Sequence, residues 1–136
     1  MKIFVLFLAC FLLLFTLSCG GSGSSSGGSS GYIGGNWSGQ WISTRYSGQG
    51  GAVSASFQQS GNQISGTASA TNTALGDVTG NISGTISNSD GPGTINMGVA
   101  WTRGGSVTYS GSYSNTRISG NYSASNGDYG TFILTR

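Results

Sequence analysis

From Asn36 onward, apolar and polar residues alternate with period two, the mark of strands that bury one face. Trp37, Gly39 and Trp41 fall on one side of the first segment, with Ser38 and Gln40 on the other. Val53, Ala55 and Phe57 form a second apolar row, and Ile64, Gly66 and Ala68 a third. Val78, Gly80, Ile82, Gly84 and Ile86 make the fourth; Ile95, Met97, Val99 and Trp101 the fifth. Val107, Tyr109, Gly111 and Tyr113 are the sixth, Ile118, Gly120, Tyr122 and Ala124 the seventh, and Thr131 to Thr135 closes the chain. No stretch after Gly31 has a helical period.

The connectors read as turns. Ser60-Gly61-Asn62, Gly104-Gly105 and Ser114-Asn115-Thr116 are short and rich in residues that accept positive φ. Asp90-Gly91-Pro92-Gly93 and Asn126-Gly127-Asp128 are breakers, and Arg45 to Gly51 and Thr71 to Ala74 are longer connectors. Eight strands joined this way predict an all-β, antiparallel up-and-down meander. With no helix to cover a face, closing the sheet into an eight-stranded barrel removes its edges.

One recurrence leaves an alternative. Ile64-Ser65-Gly66-Thr67, Ile82-Ser83-Gly84-Thr85, Tyr109-Ser110-Gly111-Ser112 and Ile118-Ser119-Gly120-Asn121 share a motif at multiples of nine residues, as a β-solenoid would. The hairpin-type turns between them favour the meander. Glycines inside the rows fit a small barrel, where an inward glycine lets a neighbouring ring lie over bare backbone.

Composition narrows the chemistry. The chain has 26 glycines and 6% charged residues, against roughly a quarter in ordinary domains. Aromatics reach 11%, which argues against simple disorder. Past the first cysteines, Arg45, Arg103, Arg117 and Arg136 face Asp77, Asp90 and Asp128. Four scattered arginines are no basic stripe, so no nucleic-acid partner is expected. Each is expected to be exposed and of little consequence for stability.

There is no histidine and no glutamate. That excludes a histidine-dependent triad and histidine-based zinc sites. The three aspartates lie in separate segments, whereas glycoside hydrolysis usually needs two close carboxylates. Asp90 and Asp128 sit in turn sequences, where aspartate commonly serves turn geometry. A non-enzymatic protein without cofactor or metal is the expectation.

Aromatic and hydroxyl chemistry remains. Trp37, Trp41, Trp101, Tyr109, Tyr113 and Tyr122 all fall on apolar rows and are the candidate ligand-binding residues. An eight-stranded barrel is wide enough either to be filled by such side chains or to hold one small ligand. A void beside Trp101 and Tyr109 distinguishes the second case from the first.

The N-terminal segment carries a different message. Lys2 precedes an uninterrupted apolar run from Ile3 to Phe15, followed by Thr16-Leu17-Ser18-Cys19-Gly20. The run suits a signal peptide and is too short to span a bilayer. The segment resembles a bacterial lipoprotein signal with its lipobox. The resemblance implies that residues 1–18 are removed and that Cys19 becomes a lipidated (palmitate-bearing) N-terminus, tying the protein to a membrane. Gly20, in place of the aspartate that retains enteric lipoproteins in the inner membrane, implies the outer membrane in a Gram-negative host. Residues 19–31 are then the lipidated cysteine and a Gly/Ser tether of roughly 20 Å reach, and residues 32–136 the barrel domain. Cys10 lies within the signal, so the domain has no disulfide.

Gly35-Asn36-Trp37-Ser38-Gly39-Gln40, Gly98-Val99-Ala100-Trp101-Thr102 and Tyr109-Ser110-Gly111-Ser112-Tyr113 resemble strands of the avidin family of eight-stranded meander barrels. The resemblance implies a fold of that calycin-like kind, a pocket-lining role for Trp101 and a ligand-contacting role for Ser43. Gly39 stands where the family has asparagine and Ala68 where it has tyrosine, and the final strand has no matching aspartate. Biotin binding is therefore not carried over. Two functions follow as expectations: an envelope lipoprotein whose barrel presents a surface to a partner, or one that binds a small ligand as avidins and lipocalins do. An integral outer-membrane barrel, apolar outside and polar inside, is the third reading.

Overall fold

The computed structural model of the chain describes residues 31–136. Cys19, the signal segment and most of the tether lie outside the described residues. Eight strands follow one another: β1 (Gly35–Ser43), β2 (Gly50–Ser60), β3 (Gln63–Thr73), β4 (Gly76–Ile86), β5 (Gly93–Trp101), β6 (Ser106–Tyr113), β7 (Arg117–Ala124) and β8 (Tyr129–Thr135). Each pairs antiparallel with the next, and β8 returns to β1, so the sheet is a closed barrel. Trp41 of β1 stands opposite Phe132 of β8, which fixes the register of the closing seam. The solenoid alternative is thereby overturned, and the nine-residue recurrence is not the repeat of the fold: successive strands start 11 to 17 residues apart.

Alternation determines the two surfaces of this barrel. The inward rows are mostly buried, with Ile95 and Ile118 fully so. The outward positions are mostly serine, threonine and asparagine, as in Ser54, Thr67, Asn81, Thr108 and Ser110, all exposed. Apolar inside and polar outside is the reverse of the pattern that a membrane-spanning barrel needs.

β2, β3 and β4 are each 11 residues long and run into two of the expected connectors. Gly50 and Gly51 belong to β2, and Thr71 to Thr73 belong to β3. The extension is held by a bulge between Ala70 and Thr73, where Asn72 adopts φ 59°. Its side-chain amide donates to the Gly50 carbonyl at 2.7 Å and its backbone N–H to Asp77 at 3.2 Å. Asparagine tolerates this left-handed conformation better than most residues.

Interior glycines act in two ways. Gly80 lies opposite Trp101, and a Cβ there would come within 2.8 Å of the indole ring, so the ring does lie over bare backbone. At Gly66, with φ 152°, a Cβ would collide with the Ser56 carbonyl oxygen of β2. That second use, close approach of two backbones where a strand coils sharply, is the glycine kink by which small barrels close.

The N-terminal end of the barrel is plugged. Ile33 enters it from a turn ahead of β1 and receives the Trp37 indole N–H on its carbonyl at 2.8 Å. The Ile33 N–H donates to Gln59 at 3.0 Å, and Gln59 donates to the Ser89 carbonyl at 2.8 Å. Tyr32 meets Tyr113 edge to face at 6.0 Å. Ile33 lies on no alternating row, so the plug has no signature in the strand pattern.

Candidate functional site: an aromatic cup at the open end

Counting hairpins sorts the loops. The β1–β2, β3–β4, β5–β6 and β7–β8 connections (44–49, 74–75, 102–105, 125–128) gather at the end opposite the plug. There the barrel holds a cavity of about 420 Å³, at the lower end of the usual range for small-molecule sites, about 300–1,000 Å³.

The space exists because several of the upper inward positions are small. Ala70, Val78, Val107 and Ala124 line it from β3, β4, β6 and β7, while larger residues such as Phe57, Ile82, Ile95 and Leu134 fill the barrel below. Trp41, Trp101, Tyr109 and Tyr122 complete the wall. Trp41 and Tyr122 meet edge to face at 6.0 Å, and Tyr109 stands edge to face on Phe132 at 5.0 Å. These edge-to-face contacts favour the observed ring orientations. The Trp41 indole N–H is held by the Thr71 carbonyl at 3.0 Å. Trp101 is half-buried at the rim, and Leu75 and Tyr46 are exposed at the mouth.

Of the six aromatic candidates, four are brought together: Trp41, Trp101, Tyr109 and Tyr122. Trp37 and Tyr113 belong to the plugged end, where they pack with Ile33, Tyr32 and Arg136. The Tyr113 hydroxyl is taken up by the backbone of Asn88. Their periodicity is the same as that of the other four; only their height along the barrel differs.

Asp128 is the residue that sequence reasoning missed. It lies in a turn, as expected, and its N–H donates to Asn126 at 3.0 Å. Yet Asp128 is also among the residues that line the cavity. The Ser43 hydroxyl donates to one oxygen at 2.6 Å and the Tyr122 hydroxyl to the other at 2.9 Å. Ser43 in turn accepts the Tyr46 N–H at 2.9 Å, so this buried serine positions Asp128 and is not among the cavity-lining residues. The hairpin count alone puts the 125–128 turn at the same end as Trp41 and Trp101, and that was the available signal.

Burial pushes both cavity tyrosines up from their ordinary value. For Tyr109 burial alone does so; for Tyr122 burial comes first and the Asp128 carboxylate adds to it. Both hydroxyls are neutral donors at ordinary pH. Tyr122 has a partner in Asp128, whereas the Tyr109 hydroxyl has none among the described residues, although only 6% of the residue is exposed. The other aspartates serve local structure: Asp77 braces the Asn72 bulge and Asp90 accepts from Ser89. Among the described residues no three metal-ligating side chains come together.

Comparison with known proteins bears on the fold. The redesigned β-barrel mFAP1, solved bound to DFHBI, is similar with a TM-score of 0.64 and 22% identity, over 77% of this chain and 95% of that one. A second redesigned β-barrel has the same TM-score at 18% identity, over 77% of this chain and 91% of its own. No protein-family model matches the chain, and no curated protein matches it.

Proposed function

We propose that this chain is a non-enzymatic bacterial envelope lipoprotein whose barrel binds a small, flat, largely apolar ligand in the aromatic cup. The observation that carries the reading is the cavity beside Trp101 and Tyr109, together with an anchored polar group, Asp128, in its wall. Small-molecule sites have this composition: apolar walls and a few fixed polar groups that set orientation. The similar barrel mFAP1 was solved with DFHBI bound, which supports a binding role for this architecture.

Lipidation at Cys19 would tether the barrel from its plugged end. The chain enters the barrel through Tyr32 and Ile33 there, at the end opposite the mouth of the cup. The polar exterior suits a domain standing in water beyond the lipid.

The test is a tryptophan-fluorescence screen of the full chain in detergent micelles against aromatic compounds, DFHBI, biotin and simple sugars. A saturable change with a flat aromatic compound, lost in Trp101→Ala, is expected. A flat response across the panel leaves the alternative, a Ser/Thr-rich surface presented to a partner.

A further inference from the structure

Resting on the binding reading above, we propose that the ligand is an organic ammonium ion with a flat apolar body, held by Asp128 among the cup's rings. Asp128 is the acidic side chain lining the cavity, and among the described residues no cation lies within ion-pair distance of it. Its two hydrogen bonds come from neutral hydroxyls, one to each oxygen. A carboxylate has about four acceptor sites, so accepting capacity is left on each oxygen. Ser43 and Tyr122 spend their protons aiming the group and do not neutralise it.

The surroundings suit a cation. Trp41, Trp101, Tyr109 and Tyr122 present indole and phenol rings, whose negative faces attract ammonium groups, tryptophan most strongly. The Tyr109 hydroxyl, unpartnered among the described residues and carried by a residue that lines the cavity, is a second polar contact that accepts a ligand N–H.

The nearby arginines keep their charge, but backbone carbonyls of the loops hold them. Arg103 lines the mouth but donates to the Leu75 carbonyl at 3.1 Å across two loops. Arg45 donates to the Gly127 carbonyl at 2.6 Å and stacks on Tyr46 at 5.4 Å. A ligand carboxylate placed in the cup would meet Asp128 with like charge.

Three probes of one shape separate the cases: phenethylamine, phenylethanol and phenylpropionate, titrated at neutral pH against the tryptophan emission of the full chain in uncharged micelles. The ammonium ion is expected to bind at least about tenfold more tightly than the alcohol, as a charge-assisted hydrogen bond allows. The carboxylate is expected to bind most weakly, and added salt to weaken the ammonium alone. Asp128→Asn should abolish the preference for the ammonium over the alcohol, and Tyr109→Phe should weaken the ammonium less than Asp128→Asn does. Should Asp128→Asn fail to fold, the ranking and salt dependence in the wild-type chain still decide. Alcohol or carboxylate binding as tightly as the ammonium overturns the charge assignment and leaves the cup a binding site. Binding of other compounds in the screen but none of these three has the same effect. Silence across the whole screen overturns the binding reading itself.

Discussion

The guanidinium of Arg136 lies over the indole ring of Trp37, 4.5 Å from its centroid, so the last residue of the chain clamps the first strand of the barrel. The same side chain donates to the carbonyls of Gly34 and Tyr32 at 2.7 Å each and of Asn115 at 2.6 Å. Arg136 is exposed, as expected of the arginines, but its guanidinium is engaged by the start of the barrel.

Stability should follow that clamp. Trp37→Ala is expected to cost about 3–5 kcal/mol, a large share of the roughly 5–15 kcal/mol that holds a domain together. Arg136→Ala should cost about 1–2 kcal/mol through the lost ring contact and carbonyl bonds. Arg117→Ala, whose side chain makes no hydrogen bond among the described residues, should change stability by less than about 0.5 kcal/mol. Urea melts of the three variants check the order.

The strand rows were readable because one buried face imposes period two on every strand, and hairpin turns announce themselves by glycine and asparagine. What lies between rows was less so. The bulge at Asn72 depends on Gly50 and Asp77, residues far along the chain or beyond a turn. The direction of the Asp128 carboxylate depends on Ser43, 85 residues away. Turn chemistry fixes the backbone at Asp128; only barrel closure brings Ser43 beside it. Likewise, inward periodicity cannot separate the cup aromatics from Trp37 and Tyr113, because height in the barrel comes from register.

Glycine kinks make a second prediction. Gly66→Ala places a methyl group against the Ser56 carbonyl at a φ that side chains disfavour, and should destabilise by about 1–3 kcal/mol. Gly61, at φ 58° in an open hairpin turn with nothing within 4 Å of a Cβ, should accept asparagine within about 0.5 kcal/mol. Urea midpoints of Gly66→Ala and Gly61→Asn compare the two.

Alkaline pH should unfold the barrel through its cup. Tyr109 and Tyr122 hold their protons in the folded state above the ordinary value of 10.0. Above that pH the unfolded chain releases protons that the folded chain retains, so stability present below pH 10 falls as pH rises toward the folded values. For the deeply buried Tyr109 the slope is about 1.4 kcal/mol per pH unit. Urea midpoints measured across this range should decline, and less steeply in Tyr109→Phe.

Lipidation at Cys19 has its own measurement. Intact mass after detergent extraction should show acyl chains on a chain beginning at Cys19, and Cys19→Ala should leave the membrane fraction. Two or more chains are needed for stable anchoring. An unchanged mass and unchanged partitioning of the variant contradict the anchor.

The most direct measurement is the indole N–H region of a proton–nitrogen correlation spectrum, where Trp37, Trp41 and Trp101 each give one signal. Trp41 and Trp101 line the cavity, whereas Trp37 is locked to Ile33 at the plugged end. Titration with phenethylamine should move the Trp41 and Trp101 signals saturably and leave Trp37 in place. Three stationary signals throughout the titration and the wider compound panel, or a Trp37 signal that moves with the others, contradict a binding cup at the open end of the barrel.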